Sequence, residues 1–175
     1  DTATTVASQL VGSYNLPNIL CALTIGKHFG VPEHKMVEAI ANYAPSNSRS
    51  QLITKDTNTI ILDAYNANPS SMKVAIENFA KLAGQNKIVM LGAMMELGDH
   101  SNVEHLALLQ LIASYSFTQV VLVGDDFLAH QNVLPQFIYF KTTAEAKDWL
   151  AKINPTHAQL LIKGSRSMQM ESVLS

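Results

Sequence analysis

The chain has 175 residues, of which 47% are hydrophobic and 15% charged; that is enough for one sizeable core burying roughly two thirds of the unfolded surface, so one domain plus an appendage is expected. A formal net charge of −2, with no cluster of Lys or Arg, excludes a broad nucleic-acid or anionic-membrane surface. No apolar segment approaches the roughly 20 residues needed to span a bilayer, and the first residues, DTATTVASQL, lack a basic stretch followed by an apolar one, so neither membrane nor export is indicated.

The first zone reads as helical. Residues 16–29 (LPNILCALTIGKHF) carry apolar groups at helical spacing with Gly30 as a stop, and PEHKMVEAIANY is a second helix opened by Pro32. The single Cys21 cannot form an internal disulfide; its apolar setting predicts a buried thiol, which suits a reducing cytoplasm. The polar connector APSNSRS follows. The sequence does not open with Met and is read as a piece of something longer.

From residue 50 the pattern becomes strand, turn, helix, repeated. SQLITKD and NTIILDAY are strands joined by DTN, the serines after Pro69 cap a helix through Leu82, and NKIVMLGAM is the next strand. A long helix runs from about Asn102 to Tyr115. TQVVLVGDD and FIYF are strands, TAEAKDWLAKI is a helix with Trp149 on its apolar side, and the chain closes with the strand AQLLIKGS and a short helix, MQMESVL. Alternating elements with near-continuous apolar strands predict an α/β fold, a mostly parallel sheet with helices on both faces.

In such sheets ligands sit beyond the carboxyl ends of the strands. Four segments occupy such ends: Asp63–Ser71, Gly92–Ser101, Gly124–Asp126 and Gly164–Ser167. Each also has a structural reading. Asn and Asp favour turns and Pro69–Ser70 is an ordinary helix start, but Tyr65 is a large aromatic that is costly to leave exposed among turn formers. Met94 and Met95 read as core fillers, whereas Glu96 is a carboxylate suited to an amine or a metal. His100 and His105, five apart, fall on different faces of a helix and make no zinc pattern, so no metal ligand is assigned. In KGSRS, Lys163 and Arg166 flank hydroxyls at a helix start, which suits a carboxylate or phosphate, or merely a solvated basic cap. Neither GxxxxGK[ST] nor GxGxxG occurs, so these residues do not cradle nucleotide phosphates by themselves.

The ordered segments YNLPN, SNSRSQ, DAYNANPSSM, GAMMELGDHSNVEH and LLIKGSRSMQME resemble the carboxy-terminal part of the Mur ligases, and among them the MurF branch, over essentially all 175 residues. The resemblance implies residues 1–47 as the helical end of a central ATPase domain and 48–175 as a Rossmann-like carboxy-terminal domain. It implies a cytoplasmic, ATP- and Mg2+-dependent enzyme of peptidoglycan synthesis. ATP would phosphorylate the terminal carboxylate of UDP-N-acetylmuramoyl-tripeptide, and the amine of D-alanyl-D-alanine would attack the acyl phosphate.

Carried over by position, the resemblance puts Asn15 and Asn18 near the adenine, Arg49 on the ATP phosphates and Asp63 on the ribose hydroxyls, with Arg49 and Asp63 as the catalytic pair. Tyr65, Asn66, Asn68, Glu96, Lys163, Ser165 and Arg166 would line the cleft for the incoming dipeptide. The Mg2+ ligands, the P-loop and the uridine-binding domain would lie upstream, so these residues alone are expected to be inactive, and SNSRS would serve as an interdomain hinge. Three positions depart from the family's habit: Tyr14 stands for a His, Leu62 for an acid and Ala64 for a Ser. Two rivals remain, a sister ligase such as folylpolyglutamate synthase and a non-catalytic α/β module that binds a small ligand or a partner.

Overall fold

Strand β2 (Asn58–Asp63) sends successive side chains to opposite sides of the sheet. Ile61 enters one core layer while Ile60 and Leu62 enter the other. β3 (Lys87–Gly92) repeats this, with Val89 and Leu91 on the first face and Ile88 and Met90 on the second. Burial on both faces is why these strands read as unbroken apolar runs, the mark of a covered parallel sheet.

The structure is a computed structural model that describes residues 4–10, 12, 15–45 and 48–175. β1 (Gln51–Lys55) forms an antiparallel hairpin with β2, and β4 (Gln119–Val123), β5 (Ile138–Phe140) and β6 (Gln159–Lys163) complete a six-stranded sheet of order β1-β2-β6-β3-β4-β5. Every pairing other than β1–β2 is parallel. The mostly parallel sheet expected from the sequence is present. Its strand order puts the last strand, β6, between β2 and β3.

Helices α3 (Pro69–Lys81), α4 (Ser101–Ala113) and α5 (Asp125–Leu128) cover the first face through Met72, Ile76, Phe79, Leu109, Ile112 and Phe127. α6 (Thr143–Ile153) covers the second with Ala146 and Leu150, and Trp149 packs beside it against Phe140. The expected closing helix is instead two 3-10 turns, Arg166–Met168 and Met170–Leu174, separated by Gln169 in the left-handed region at φ 48°. The break draws Met170 down onto the strand ends. A Cβ on Gly92 or on Gly164 would stand 2.7 Å from Met170 Cγ, so both must be glycine for this segment to lie where it does.

α1 (Leu16–His28) and α2 (Glu33–Asn42) form a separate pair that buries none of its own residues. Leu16, Leu20, Ile25 and Phe29 are exposed. Cys21 is exposed too, contrary to the expectation of a buried thiol, because among the described residues no layer packs deeply over the apolar surface of α1. Among the described residues no helix is long and apolar enough to cross a membrane.

Candidate functional site

Asp63 ends β2 and Lys163 ends β6, and the two are register partners in adjacent parallel strands. The chain leaves β2 for α3 on one face and leaves β6 for the 3-10 turns on the other. A crevice at such a divergence of connections is where open α/β sheets bind ligands. Asp63 Oδ2 meets Lys163 Nζ at 2.6 Å, and Asp63 Oδ1 accepts the Ser50 N–H at 3.1 Å. Lys163 Nζ also donates to the Asn66 carbonyl at 2.9 Å. The lysine side chain is 2% exposed and the aspartate 17%, so the ion pair is held largely away from water.

Beside this pair the Arg49 guanidinium lies over the Tyr65 ring, 3.5 Å from its centroid. Tyr65 is exposed, as the sequence reading judged costly, and the stacked cation covers part of that cost. Arg49 is flanked by Ser48 and Ser50, with φ of 56° and 49°. Left-handed backbone is uncommon for residues other than glycine, and the Ser50 N–H bond to Asp63 fixes the turn that presents Arg49. Ser46, Asn47 and Tyr14, the rest of the expected hinge and the residue standing for His, lie outside the described residues.

Asn68, expected along the cleft, also has a structural use. It caps α3: its Oδ1 accepts the Ser71 N–H at 2.8 Å and the Ser70 hydroxyl at 2.9 Å, while its own N–H donates to Ser71 Oγ. The cap is thus Asn68, and the serines form the first turn. A shallow pocket lined by Asp63, Ser70, Ser71 and Val74 opens beside it. Asn66 is exposed at the rim, its Oδ1 accepting the Ala67 N–H at 2.9 Å.

Glu96 is exposed on the loop after β3, in the left-handed region at φ 65°. Two bonds fix that loop. The Met94 N–H donates to His105 Nε2 at 3.0 Å, and the Met95 N–H donates to Ser165 Oγ at 2.8 Å. Since Nε2 accepts, the His105 proton resides on Nδ1, which donates to the Ser101 carbonyl at 2.8 Å. Burial lowers the His105 pKa below its ordinary value, against the raising effect of the Ser101 bond and of Asp126. The sequence reading missed this role; the signal available was Ser101 and His105 four apart on one helical face. Met94 is buried as expected, but Met95 is 44% exposed.

Arg166 is exposed and pairs with Glu171 at 2.7 Å. Asn15 and Asn18 lie in the helical segment, where Asn18 Nδ2 donates to Asn15 Oδ1 at 3.4 Å. Leu62 and Ala64, which stand where the family often has an acid and a serine, are both buried and join the second core layer. A separate cavity near Lys55, Lys147 and Pro155 lies at the amino ends of β2 and β6, away from these groups.

A family model described as Mur ligase, glutamate ligase domain, matches residues 48–166. The chain belongs to the Mur ligase family. It is 30% identical over 174 residues to the UDP-N-acetylmuramoyl-tripeptide–D-alanyl-D-alanine ligase of Bacillus subtilis, covering 94% of this chain and 38% of that protein. Its fold is similar to a crystal structure of MurF from Acinetobacter baumannii, with a TM-score of 0.87, 29% identity, and coverage of 98% of this chain and 39% of that one. A MurF ligase from Thermotoga maritima in complex with ADP shares the fold at TM-score 0.76 and 22% identity, over 94% of this chain and 38% of that one. The chain thus spans about 38% of the length of the curated relative it matches.

The chemistry of the Asp63 end is compatible with the ribose hydroxyls of a nucleotide. An ionised carboxylate offers about four acceptor sites, and two are taken by Ser50 and Lys163, which leaves capacity for vicinal hydroxyls. Among the described residues no group of three or more His, Cys, Asp or Glu could hold a metal ion.

Proposed function

We propose that this chain is the carboxy-terminal part of a cytoplasmic ATP-dependent ligase that adds D-alanyl-D-alanine to UDP-N-acetylmuramoyl-tripeptide in peptidoglycan synthesis. The observation that carries this reading is the meeting of Arg49, Asp63 and Tyr65 at one strand-end crevice, in a chain similar over 94% of its length to a ligase with that name.

ATP, when bound, supplies the phosphoryl group that activates the tripeptide carboxylate as an acyl phosphate. The residues of this chain bind and orient. Asp63 accepts the ribose hydroxyls, Asn15 and Asn18 approach the adenine edge, and Arg49 swings from the Tyr65 ring to the phosphates, adding positive charge where negative charge develops. Glu96 faces the ammonium of the incoming dipeptide and Arg166 its carboxylate, with Tyr65 and Asn66 along the cleft. The P-loop and the Mg2+ ligands belong to the longer protein.

Residues 1–47 are proposed as the end of the central domain. The exposed apolar side chains of Leu16, Leu20, Ile25 and Phe29 support this, since such a surface is normally covered. Closure of the domains would bring Arg49 to the phosphates and keep water from the acyl phosphate. The chain alone is therefore expected to be inactive.

The test is product analysis by mass spectrometry after incubating the full-length protein with ATP, Mg2+, UDP-N-acetylmuramoyl-tripeptide and D-alanyl-D-alanine. The UDP-linked pentapeptide is the expected product. A glutamate adduct instead would indicate a sister ligase such as folylpolyglutamate synthase, and a longer sequence without GxxxxGK[ST] would indicate a binding module.

A further inference from the structure

Of the four strand-end segments, the proposed function uses three and leaves Gly124–Asp126, after β4, without a role. That segment is joined to the site through α4. Ser101 Oγ donates to Asp126 Oδ1 at 2.6 Å, and the same oxygen lies 3.1 Å from His105 Nδ1. The Nδ1 proton is directed at the Ser101 carbonyl, 2.8 Å away, which leaves Nε2 on the far side of the ring to accept the Met94 N–H at 3.0 Å. His105 is fully buried and meets the Phe127 ring of α5 edge-on, with centroids 4.7 Å apart. One chain of contacts thus runs from the end of β4 to the loop after β3.

Glu96 lies two residues beyond Met94 on that loop. Its φ of 65° is uncommon for a residue other than glycine and persists only where the surroundings determine the backbone. The Met94 bond to His105 supplies part of that determination. Met94 is buried, so without the His105 acceptor its N–H would be left unpaired and the loop would have to move to satisfy it. A shift at Met94 is carried along the backbone to Glu96.

We propose that Asp126, Ser101 and His105 are positioning residues that hold Glu96 where it meets the ammonium of the incoming dipeptide, so that affinity for the amine depends on a relay that touches no substrate. The hold on the loop stands on geometry; its effect on the dipeptide rests on the proposed function. Asp126 fixes the Ser101 hydroxyl, Ser101 fixes the His105 ring and its tautomer, and His105 fixes the backbone that presents Glu96.

The experiment uses the full-length protein and has two arms. In steady-state kinetics His105→Phe, which fills the space but offers no acceptor, is expected to raise the KM for D-alanyl-D-alanine about tenfold while the KM for ATP stays within about twofold. His105→Gln, which keeps an acceptor for the Met94 N–H, should recover the dipeptide KM to within about threefold, and Asp126→Ala should raise it about threefold. In a Glu96→Gln background, His105→Phe should add less than about twofold, because the two residues act in series. In the second arm, hydrogen exchange is read by mass spectrometry over residues 94–97 without substrates. Exchange there should be about tenfold faster in His105→Phe and near the parent in His105→Gln.

If His105→Phe does not fold, His105→Asn, whose amide falls short of the Met94 N–H, takes its place. Equal rises in the KM for ATP and for the dipeptide, or a rise that persists undiminished in the Glu96→Gln background, would show His105 supporting the fold alone and overturn the proposal. So would a His105→Gln variant no better than His105→Phe, or exchange over residues 94–97 that no substitution changes. Absence of turnover with the dipeptide in the parent would instead refute the proposed function, and the exchange arm would still decide whether the relay holds the loop.

Discussion

Asp63 and Lys163 lie one hundred residues apart in sequence and opposite each other in register, with their charges 2.6 Å apart at the ends of β2 and β6. Neither partner can be removed without leaving the other charge in a poorly hydrated place. Asp63→Ala is expected to lower the unfolding free energy of this chain by about 2–3 kcal/mol, toward the low end for a buried pair because the carboxylate retains some exposure. Urea denaturation checks this, and a change under about 0.5 kcal/mol would mean that the pair is not buried as described.

Arg49 and Tyr65 form a stack that can be dissected separately from the pair. In the full-length protein Arg49→Ala is expected to reduce kcat/KM for ATP by about 100-fold, near 3 kcal/mol, as for other charge-stabilising donors. Tyr65→Phe keeps a ring face for the guanidinium and should stay within about twofold, while Tyr65→Ala should lose about fivefold. Steady-state kinetics with ATP varied distinguishes these; equal losses in the two Tyr65 variants would point to the hydroxyl instead.

Asn68 supports the site by starting α3. Asn68→Ala is expected to destabilise the chain by about 1 kcal/mol, and Asn68→Asp or Asn68→Ser by much less, because each retains an oxygen for the Ser71 N–H. Urea midpoints of the three variants check this. Loss of dipeptide affinity without loss of stability would show Asn68 acting in the cleft rather than through the cap.

His105 gives the chain a pH dependence of known sign. Its folded pKa is lowered, so the folded state disfavours the imidazolium; the stability it contributes is present above the ordinary value of 6.5 and is lost as pH falls below it. Protonation would also turn Nε2 into a donor facing the Met94 N–H. The groups around it are Asp126 and Glu104, which favour the charged form, and His130, which opposes it. Between pH 7.5 and 5.5 the parent should lose up to about 1.4 kcal/mol more stability than His105→Gln. Parallel pH profiles for the two proteins would contradict this.

Much of the fold was legible because β2, β3, β4 and β6 are buried on both faces and so announce themselves as apolar runs ending in polar turns. The position of β6 between β2 and β3 was not, since nothing local in QLLIK encodes its neighbours. Cys21 was misjudged because an apolar helix looks the same whether or not its partner layer is part of the chain at hand. In the site, residue types were informative but directions were not. Lys163 and Arg166 are both cations in one short motif, and only the inward path of β6 decides that one is buried against Asp63 while the other meets solvent. His105 escaped notice because its work is done through a backbone N–H, which leaves no mark in the sequence.

The most direct measurement is phosphate release by the full-length protein with ATP, Mg2+ and UDP-N-acetylmuramoyl-tripeptide, comparing D-alanyl-D-alanine, L-glutamate and no acceptor. Release that depends on D-alanyl-D-alanine and is cut about 100-fold at limiting ATP by Arg49→Ala is the predicted result. Release driven by L-glutamate, or none with any acceptor, would contradict it.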